Sequence, residues 1–217
     1  MNLWVWTLTV FICGYFIGSL HGSKIAQKLS GVNVKEHGVK NSGASNATIV
    51  LGWKYGVLVA LIDIGKGVLA VLLLHYFLQS TSYSIEHIMT LLFLMGAAVV
   101  IGHNYPIWMN FDGGKGTASV IGITLAIDWK MGLLGLLLLV ITTLVTDYLL
   151  LGVLVLYFTF CGYAIWFTDG YWPTVIAVAL FLLAIWKHLE NVKRLKSGSE
   201  PRLSFVIKKK KSASPSE

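Results

Sequence analysis

Long apolar runs alternate with short polar connections along most of this chain. A transmembrane helix needs about 20 mostly apolar residues. The runs lack the two-residue alternation of a membrane β-barrel, and only helices and closed barrels satisfy the backbone inside a bilayer. The pattern therefore predicts an all-α polytopic membrane protein with about seven transmembrane or half-crossing helices. The candidate segments are Leu3–Ser23, Val57–Leu78, Ile88–Met109, Thr117–Ile127, Met131–Val145, Tyr148–Phe167 and Trp172–Trp186.

The fourth and fifth segments are short, so five or six complete spans fit the sequence as well. Composition agrees with a membrane protein, because 12% of the residues are charged and 56% are hydrophobic, whereas soluble domains carry about 25% charged residues. The first twenty residues lack the basic start and the cleavage site of a signal peptide, which predicts a retained first span. Cys13 and Cys161 lie in apolar runs and are interpreted as small hydrophobic residues.

Basic residues are distributed unevenly between the two sides that these spans define. With the N-terminus outside, one side receives almost all of the lysines and arginines and the other receives Lys130. The positive-inside rule then predicts a cytoplasmic C-terminus. Basic residues beside spans meet anionic lipid headgroups, so the net charge of +7 needs no nucleic acid. We predict a membrane domain over residues 1–203 and a basic disordered tail over residues 204–217.

Candidate chemistry is concentrated on the predicted cytoplasmic side. In the stretch 102–119, GHNYPIWMNFDGGKGTAS, a Gly-Gly pair precedes Lys115 and a new apolar run. Adjacent glycines let backbone N–H groups approach a ligand, and a lysine at a helix start adds a positive charge, as a phosphate site requires. The alternative is a simple turn with Lys115 as an interfacial anchor.

The polar loop between the first two spans is a second candidate. It contains HGVKNSGASNA, which offers hydroxyl and amide groups for a polyol or a phosphate. The alternative is an ordinary Gly/Asn/Ser loop in which Asn46 caps the next helix.

A third candidate lies inside an apolar run, where Asp63 and Lys66 are three residues apart and share one helix face. Charges inside a membrane segment usually face protein or water and have a function. A self-neutralising pair that joins two helices explains them equally simply.

The fourth candidate is the end of the last span, WKHLENVKRLKSGSEP. His188 and Asn191 share a helix face, and Arg194 follows one turn later. An amphipathic helix end with snorkelling lysines explains the basic residues, but it does not explain the histidine, the asparagine and Glu200.

These four clusters resemble, in order and spacing, the motifs of the bacterial acyl-phosphate:glycerol-3-phosphate acyltransferases, the PlsY family. The resemblance covers the chain from Gly18 to Pro201. The matching positions are Gly18, Ser19, Lys35, Gly38, Asn41, Gly43, Ala44, Ser45 and Asn46 in the first motif; Asp63, Lys66 and Gly67 in the D-x-x-K-G element; Gly102, His103, Pro106, Phe111, Gly113, Gly114, Lys115 and Gly116 in the second motif; and His188, Asn191, Arg194, Gly198 and Glu200 in the third.

The resemblance implies a multi-pass enzyme of the bacterial cell membrane with a cytoplasmic active site. It would transfer an acyl chain from acyl phosphate to glycerol 3-phosphate, giving lysophosphatidic acid and phosphate in phospholipid biosynthesis, with no cofactor and no metal. The catalytic candidates are His188, His103, Asn191 and Lys115. The substrate-binding candidates are Ser19, Lys35, Asn41, Ser45, Asn46, Asp63, Lys66, Gly113, Gly114, Arg194 and Glu200.

Either histidine, or a phosphate oxygen of the substrate, could accept the proton of the attacking hydroxyl. None of the six histidines is followed five residues later by aspartate, so the H-x-x-x-x-D pair of acyl-CoA-dependent glycerolipid acyltransferases is missing. Acyl-CoA is therefore not expected to serve as donor. The sequence makes no prediction of oligomeric state.

Three departures from the family pattern support an alternative. Lys35 stands where the family usually has arginine and loses the bidentate fork for phosphate. Val39 removes a hydroxyl, and Asp112 reverses a charge beside Lys115. A non-catalytic or altered-specificity paralogue that binds phospholipid precursors is the second hypothesis. A transporter is the third, and the clustering of polar residues on one side argues against it.

Overall fold

A computed structural model describes residues 3–204, and regular structure within this range is entirely helical. Two short 3-10 turns, Val34–Glu36 and Ile107–Met109, lie in the connections. The helices are α1 Leu3–Ser19, α2 Gly22–Ser30, α3 Ala44–Leu51, α4 Trp53–Leu78, α5 Ile85–Asn104, α6 Thr117–Ile127, α7 Trp129–Thr146, α8 Leu149–Phe167, α9 Trp172–Lys187 and α10 Leu189–Lys196.

The prediction of an all-α polytopic fold is confirmed. Within residues 3–204, five helical segments are long and apolar enough to cross a membrane, and α9 with α10, bent by 48°, can form a sixth. Helix α6 has 11 residues, which gives a length of about 16 Å against a hydrocarbon core of about 30 Å. It is therefore too short to cross alone, as the sequence allowed for this segment. The predicted tail lies outside the described residues, except for Ser204.

The first predicted span, Leu3–Ser23, is wrong at its end. Helix α1 stops at Ser19, and α2 starts at Gly22 after a two-residue break. Helix α2 ends at Ser30, and Gly31 caps it with a left-handed φ of 75°, as is common after a helix C-terminus. The break lies beside the end of α5, where His21 Nε2 bonds to the His103 carbonyl.

Glycines let two pairs of central helices, α1 with α5 and α4 with α6, approach closely. A Cβ on Gly18 of α1 would lie 2.1 Å from the Val99 carbonyl oxygen of α5, and one on Gly102 would lie 2.1 Å from the Tyr15 carbonyl oxygen of α1. Gly122 of α6 is equally close to the Ile64 carbonyl oxygen of α4. Membrane helices associate through such small residues, because burial gives little advantage within lipid. The close contacts set the positions of α5 and α6, which flank the Gly-Gly-Lys loop.

Aromatic packing joins α5, α8 and α9 on the other side of α5. Phe93 stacks on Phe160 with ring centroids 5.2 Å apart, and Tyr157 stacks on Phe181 at 5.9 Å. Phe93, Tyr157 and Phe160 are fully buried. This core leaves the outer faces of the helices covered with exposed apolar side chains, as expected for contact with lipid.

Candidate active site

Two adjoining cavities open where α3, α6, α8 and the α9–α10 bend meet. The inner cavity has a volume of about 240 Å³, and the outer one about 600 Å³. Both are lined by Asn41, Lys115 and Arg194. The inner cavity has one polar wall, to which His188 and Glu200 contribute, and one apolar wall. The apolar wall consists of Ile49, Ile121, Leu139, Leu149, Leu150 and Val153.

A network of side chains joins Lys115 to the third predicted motif. The Lys115 ammonium donates to Asn191 Oδ1. Asn191 Nδ2 donates to Glu200 Oε1 at 2.6 Å, and Arg194 Nε donates to Glu200 Oε2 at 2.8 Å. One carboxylate thus orients the asparagine and the arginine, and two cations remain close to the same cavity. The structure brings these four predicted site residues together.

Burial changes the acid–base behaviour of Lys115. Loss of solvent, and then the nearby Arg194 guanidinium, lowers the pKa of Lys115 to about 8. Glu200 opposes this effect. The lysine therefore keeps its charge at neutral pH and loses it as the pH rises past about 8, and an anion in the cavity would favour the charged form.

Two helix N-termini face the inner cavity. Helix α3 starts after Gly43 and α6 starts after Gly116, and neither glycine supplies a side-chain cap. The first-turn N–H groups of a helix have no acceptor within the helix, and they carry the positive end of the helix dipole. Residues of both first turns, including Ala44, Thr117 and Ala118, line the cavity. This arrangement suits an anionic group. The sequence predicted a helix start beside Lys115, but it did not predict that α3 begins at the same cavity.

The interpretation of Gly113 and Gly114 as free donors is corrected. The Gly113 N–H donates to the Asn104 carbonyl, and the Gly114 N–H donates to the His103 carbonyl. A Cβ on Gly114 would lie 2.1 Å from His103 Nε2. Both glycines allow the loop to fold back onto the end of α5, which places Lys115 at the cavities. The candidate donors for an anion are instead the first-turn N–H groups of α6, which has no side-chain cap.

The two histidines differ in what they offer to a substrate. His188 Nδ1 bonds to the Ala184 carbonyl at 2.8 Å, so Nδ1 carries the proton and Nε2 holds the lone pair. His103 Nδ1 accepts from the Lys66 ammonium at 2.8 Å, so its lone pair is already used. Both line the inner cavity, but of the two only His188 has a ring nitrogen lone pair, on Nε2, that no residue between 3 and 204 occupies.

Lys66 binds the end of α1. Its ammonium donates to the Gly18 and Leu20 carbonyls at 2.8 Å and 2.6 Å, and it lies 3.0 Å from Asp63 Oδ1. The last carbonyls of a helix lack intrahelical partners and carry partial negative charge. Lys66 therefore caps α1 at its break and does not line either cavity. Asp63 lines the inner cavity, but its ion pair supports the structural alternative for both residues.

His21, Asp63 and His103 form a buried group in which one ligand atom from each residue lies within 4.8 Å of the others. The spacing would suit a metal ion. The Lys66 ammonium contacts Asp63 and His103 directly, so a positive charge already occupies this cluster. His21 Nε2 bonds to the His103 carbonyl. The residues do not fit a metal site while Lys66 is charged.

Asn46 holds the backbone of the polar loop. It is fully buried, and its amide nitrogen donates to the Val34, His37 and Asn41 carbonyls. Its oxygen accepts from the Val39 N–H. The side chain thus organises the loop, and Gly43, not Asn46, is the N-cap of α3.

Ser19 holds two helices together. Its hydroxyl donates to the Tyr15 carbonyl at 2.8 Å and to the Gly102 carbonyl at 3.4 Å. It joins α1 to α5 and lines neither cavity. Ser45, in contrast, is exposed and lines the inner cavity beside Asn41.

Two of the departures from the family pattern touch each other. Lys35 Nζ lies 2.5 Å from Asp112 Oδ2 and also donates to the Asp112 carbonyl. Lys35 is therefore engaged with the reversed charge, and it lines neither cavity. Lys40 lines the outer cavity together with Lys187. Neither Lys40 nor Lys187 was predicted as a site residue.

The helical membrane fold and the cavity define an integral membrane protein whose candidate site has cationic side chains on one wall and apolar side chains on the other. Residues 8–198 match the sequence profile of the family described as glycerol-3-phosphate acyltransferase. Glycerol-3-phosphate acyltransferase 1 of Oceanobacillus iheyensis is 47% identical over 93% of this chain and 97% of its own. The enzyme of Thermotoga petrophila is 35% identical over 89% and 95%.

Solved structures agree with these sequence matches. The crystal structure of PlsY, an integral membrane glycerol 3-phosphate acyltransferase, in its glycerol 3-phosphate form has a TM-score of 0.80 and 31% identity over 91% of this chain and 95% of that one. Its lysophosphatidic acid form gives a TM-score of 0.77 at the same identity, over 90% and 94%. The chain belongs to the glycerol-3-phosphate acyltransferase family, the PlsY family. The predicted family and enzyme class are thereby confirmed.

Proposed function

We propose that this acyltransferase takes its acyl group from acyl phosphate and transfers it to the 1-hydroxyl of glycerol 3-phosphate. The products are lysophosphatidic acid and inorganic phosphate, and the reaction takes place at the cytoplasmic face of a bacterial cell membrane. The observation that carries the proposal is the inner cavity. Lys115, Arg194 and two uncapped helix starts meet there opposite an apolar wall.

The cavity suits a donor with an anionic head and a long apolar chain. The first turns of α3 and α6 would bind phosphate oxygens, while Leu139, Leu150 and Val153 offer apolar contact to the start of an acyl chain. The outer cavity is larger and more polar, and Lys40 and Lys187 line it. It suits a small anionic polyol such as glycerol 3-phosphate. Lys115 and Arg194 line both cavities and would hold the two anions side by side.

The reaction needs little covalent help from the protein. The glycerol oxygen forms a bond to the acyl carbonyl carbon, the bond from that carbon to the phosphate oxygen breaks, and phosphate leaves with its electron pair. Proximity and stabilisation of the developing charge then provide most of the acceleration. Because phosphate is already a good leaving group, no covalent enzyme intermediate is required.

The hydroxyl proton has two acceptors in this arrangement. His188 Nε2 is the protein candidate, because Nδ1 bonds to Ala184. A phosphate oxygen of the substrate is the other. Replacing His188 with glutamine separates them: loss of most of the turnover number would assign the role to His188, and a near-normal value would assign it to the substrate.

A donor assay tests the proposal. Purified protein in detergent receives glycerol 3-phosphate with either palmitoyl phosphate or palmitoyl-CoA, and phosphate release and lysophosphatidic acid are both measured. We expect product with palmitoyl phosphate and none above background with palmitoyl-CoA. Omitting glycerol 3-phosphate controls for hydrolysis. Efficient turnover with palmitoyl-CoA would contradict the donor assignment.

The alternative of a non-catalytic paralogue has one structural observation in its favour, since Asp112 engages Lys35 beside the outer cavity. The same assay addresses it. Binding of glycerol 3-phosphate without product from either donor would favour a precursor-binding protein.

A further inference from the structure

Residues 199–204, which we term the C-terminal strap, run back from α10 to the turn between α7 and α8. Asp147 holds the far end of the strap. Its Oδ1 accepts from the Ser204 N–H at 2.7 Å, and its Oδ2 accepts from the Ser204 hydroxyl at 2.6 Å. The Asp147 carbonyl also accepts from the Leu203 N–H at 3.0 Å. Both oxygens of one carboxylate are thus used to fix a single residue of the strap.

A second contact reinforces this end. Arg202 Nε donates to the Tyr148 hydroxyl at 3.2 Å, and the guanidinium lies 5.8 Å from the centre of the same ring. Asp147 and Tyr148 form the connection between α7 and α8. The strap is therefore attached at consecutive residues of one turn.

The near end of the strap is part of the site. Glu200 bonds to Asn191 and Arg194, and through Asn191 it reaches Lys115. Pro201 lines the inner cavity together with Leu149, which follows the turn that holds the strap. Only a short length of chain connects Glu200 to the residues that Asp147 fixes, so movement at the far end is transmitted to the carboxylate.

We propose that Asp147 is a positioning residue for acyl transfer. It fixes the C-terminal strap, and the strap holds Glu200 on Asn191 and Arg194 and closes the cavity wall at Pro201. Asp147 itself lines neither cavity and touches no substrate; it acts through the strap. The inference rests on the proposed acyl transfer only for its kinetic readout.

A purely structural role is the competing explanation, because Asp147 also terminates α7 with a left-handed φ of 67°. The other end of the same helix provides a matched control. Asp128 caps the start of α7 by accepting from the Lys130 and Met131 N–H groups at 2.9 Å and 3.1 Å, and it lines neither cavity. Asp128→Ala should therefore lower stability without changing the kinetics of the folded enzyme.

Asp147→Gly is the main variant, because glycine adopts the left-handed conformation readily and the α7–α8 turn should still fold. Misplacing groups that orient a substrate by about 1 Å can cost on the order of a hundredfold. We expect kcat/KM of Asp147→Gly to fall by about ten- to a hundredfold, with a raised KM for glycerol 3-phosphate. Asp147→Asn keeps an acceptor for the Ser204 N–H and should retain most of the activity.

Two measurements do not depend on turnover. Hydrogen exchange of residues 199–204 should accelerate in Asp147→Gly and not in Asp128→Ala, and calorimetry should show weaker glycerol 3-phosphate binding in Asp147→Gly only. If the wild type makes no product, the proposed reaction fails, and these measurements still decide the role of the strap. Unchanged kcat/KM and unchanged glycerol 3-phosphate affinity for folded Asp147→Gly would overturn the proposal. A loss of activity that is fully explained by a lower melting temperature, as expected for Asp128→Ala, would also overturn it.

Discussion

Lys115→Ala removes an ammonium group that lines both cavities and donates to Asn191. Lys130→Ala is the matched control. Lys130 is also a lysine near the start of a helix, but it is exposed, lines neither cavity and lies 5.8 Å from the centre of the ring of its neighbour Trp129. The comparison separates loss of a positive charge at the site from loss of a positive charge at the membrane surface.

The expected magnitude follows from the contacts of Lys115. A hydrogen bond to a charged group typically contributes about 1.5–3 kcal/mol, and each 1.4 kcal/mol corresponds to about a factor of ten. Loss of the contact between the ammonium and a substrate phosphate should therefore lower kcat/KM by about ten- to a hundredfold. The loss of the Asn191 partner adds to this effect, because its carbonyl oxygen then faces the cavity without its lysine donor.

The assay is phosphate release from palmitoyl phosphate at saturating and at limiting glycerol 3-phosphate, normalised to folded protein from size-exclusion chromatography. Lys115→Ala should insert and fold, and Lys130→Ala should be close to wild type. Equal kcat/KM for the two variants would refute the proposed anion site. If Lys115→Ala aggregates, Lys115→Met is used instead, because it keeps the apolar stem of the side chain and removes the charge.

Three further predictions concern pH, packing and topology. Because burial lowers the pKa of Lys115 to about 8, its ammonium loses its charge as the pH rises past that value. The KM for glycerol 3-phosphate should therefore rise above that pH. In Lys115→Arg, which stays charged, the KM should depend less on pH. Gly18→Ala should lower the free energy of unfolding by about 1–3 kcal/mol through overpacking against α5, whereas Gly65→Ala, with no neighbour within 4 Å of its added Cβ, should be neutral; equal melting temperatures would contradict this. In a cysteine-free background, an impermeant thiol reagent applied to intact cells should label Ser82→Cys and not His37→Cys, and the reverse pattern would invert the proposed orientation.

The lengths of the apolar runs predicted most of the fold, because lipid imposes an apolar surface of fixed thickness on every span. The bounds of Thr117–Ile127 agree with α6, and Trp172–Trp186 agrees with α9 within one residue. The end of α1 was missed. Its break at Leu20 depends on Lys66, 46 residues away, which binds the exposed carbonyls, and no local pattern encodes such a distant partner.

The site was predicted best where side chains carry the chemistry. Lys115, Asn191, Arg194 and Glu200 meet as the motifs indicated. Backbone contributions were harder to foresee. The N–H groups of Gly113 and Gly114 were predicted as donors to a ligand, but they bond to the Asn104 and His103 carbonyls. The helix start beside Lys115 was predicted, whereas the approach of the α3 start to the same cavity was not. Pairing across loops, such as Lys35 with Asp112, is set by tertiary structure.

The ion pair between Asp63 and Lys66 also bears on how this protein can change over time. Removing either member of a buried ion pair typically costs about 3–5 kcal/mol, because the remaining charge is stranded away from water. Loss of Lys66 leaves the Asp63 carboxylate without its cation and two helix-end carbonyls without their donor. Loss of Asp63 leaves the Lys66 ammonium without its counter-ion. A variant with only one of the two residues replaced should therefore fold poorly. Evolution can then exchange the pair only if both residues change nearly together. Single substitutions at these two positions are therefore disfavoured, even though neither residue need touch a substrate.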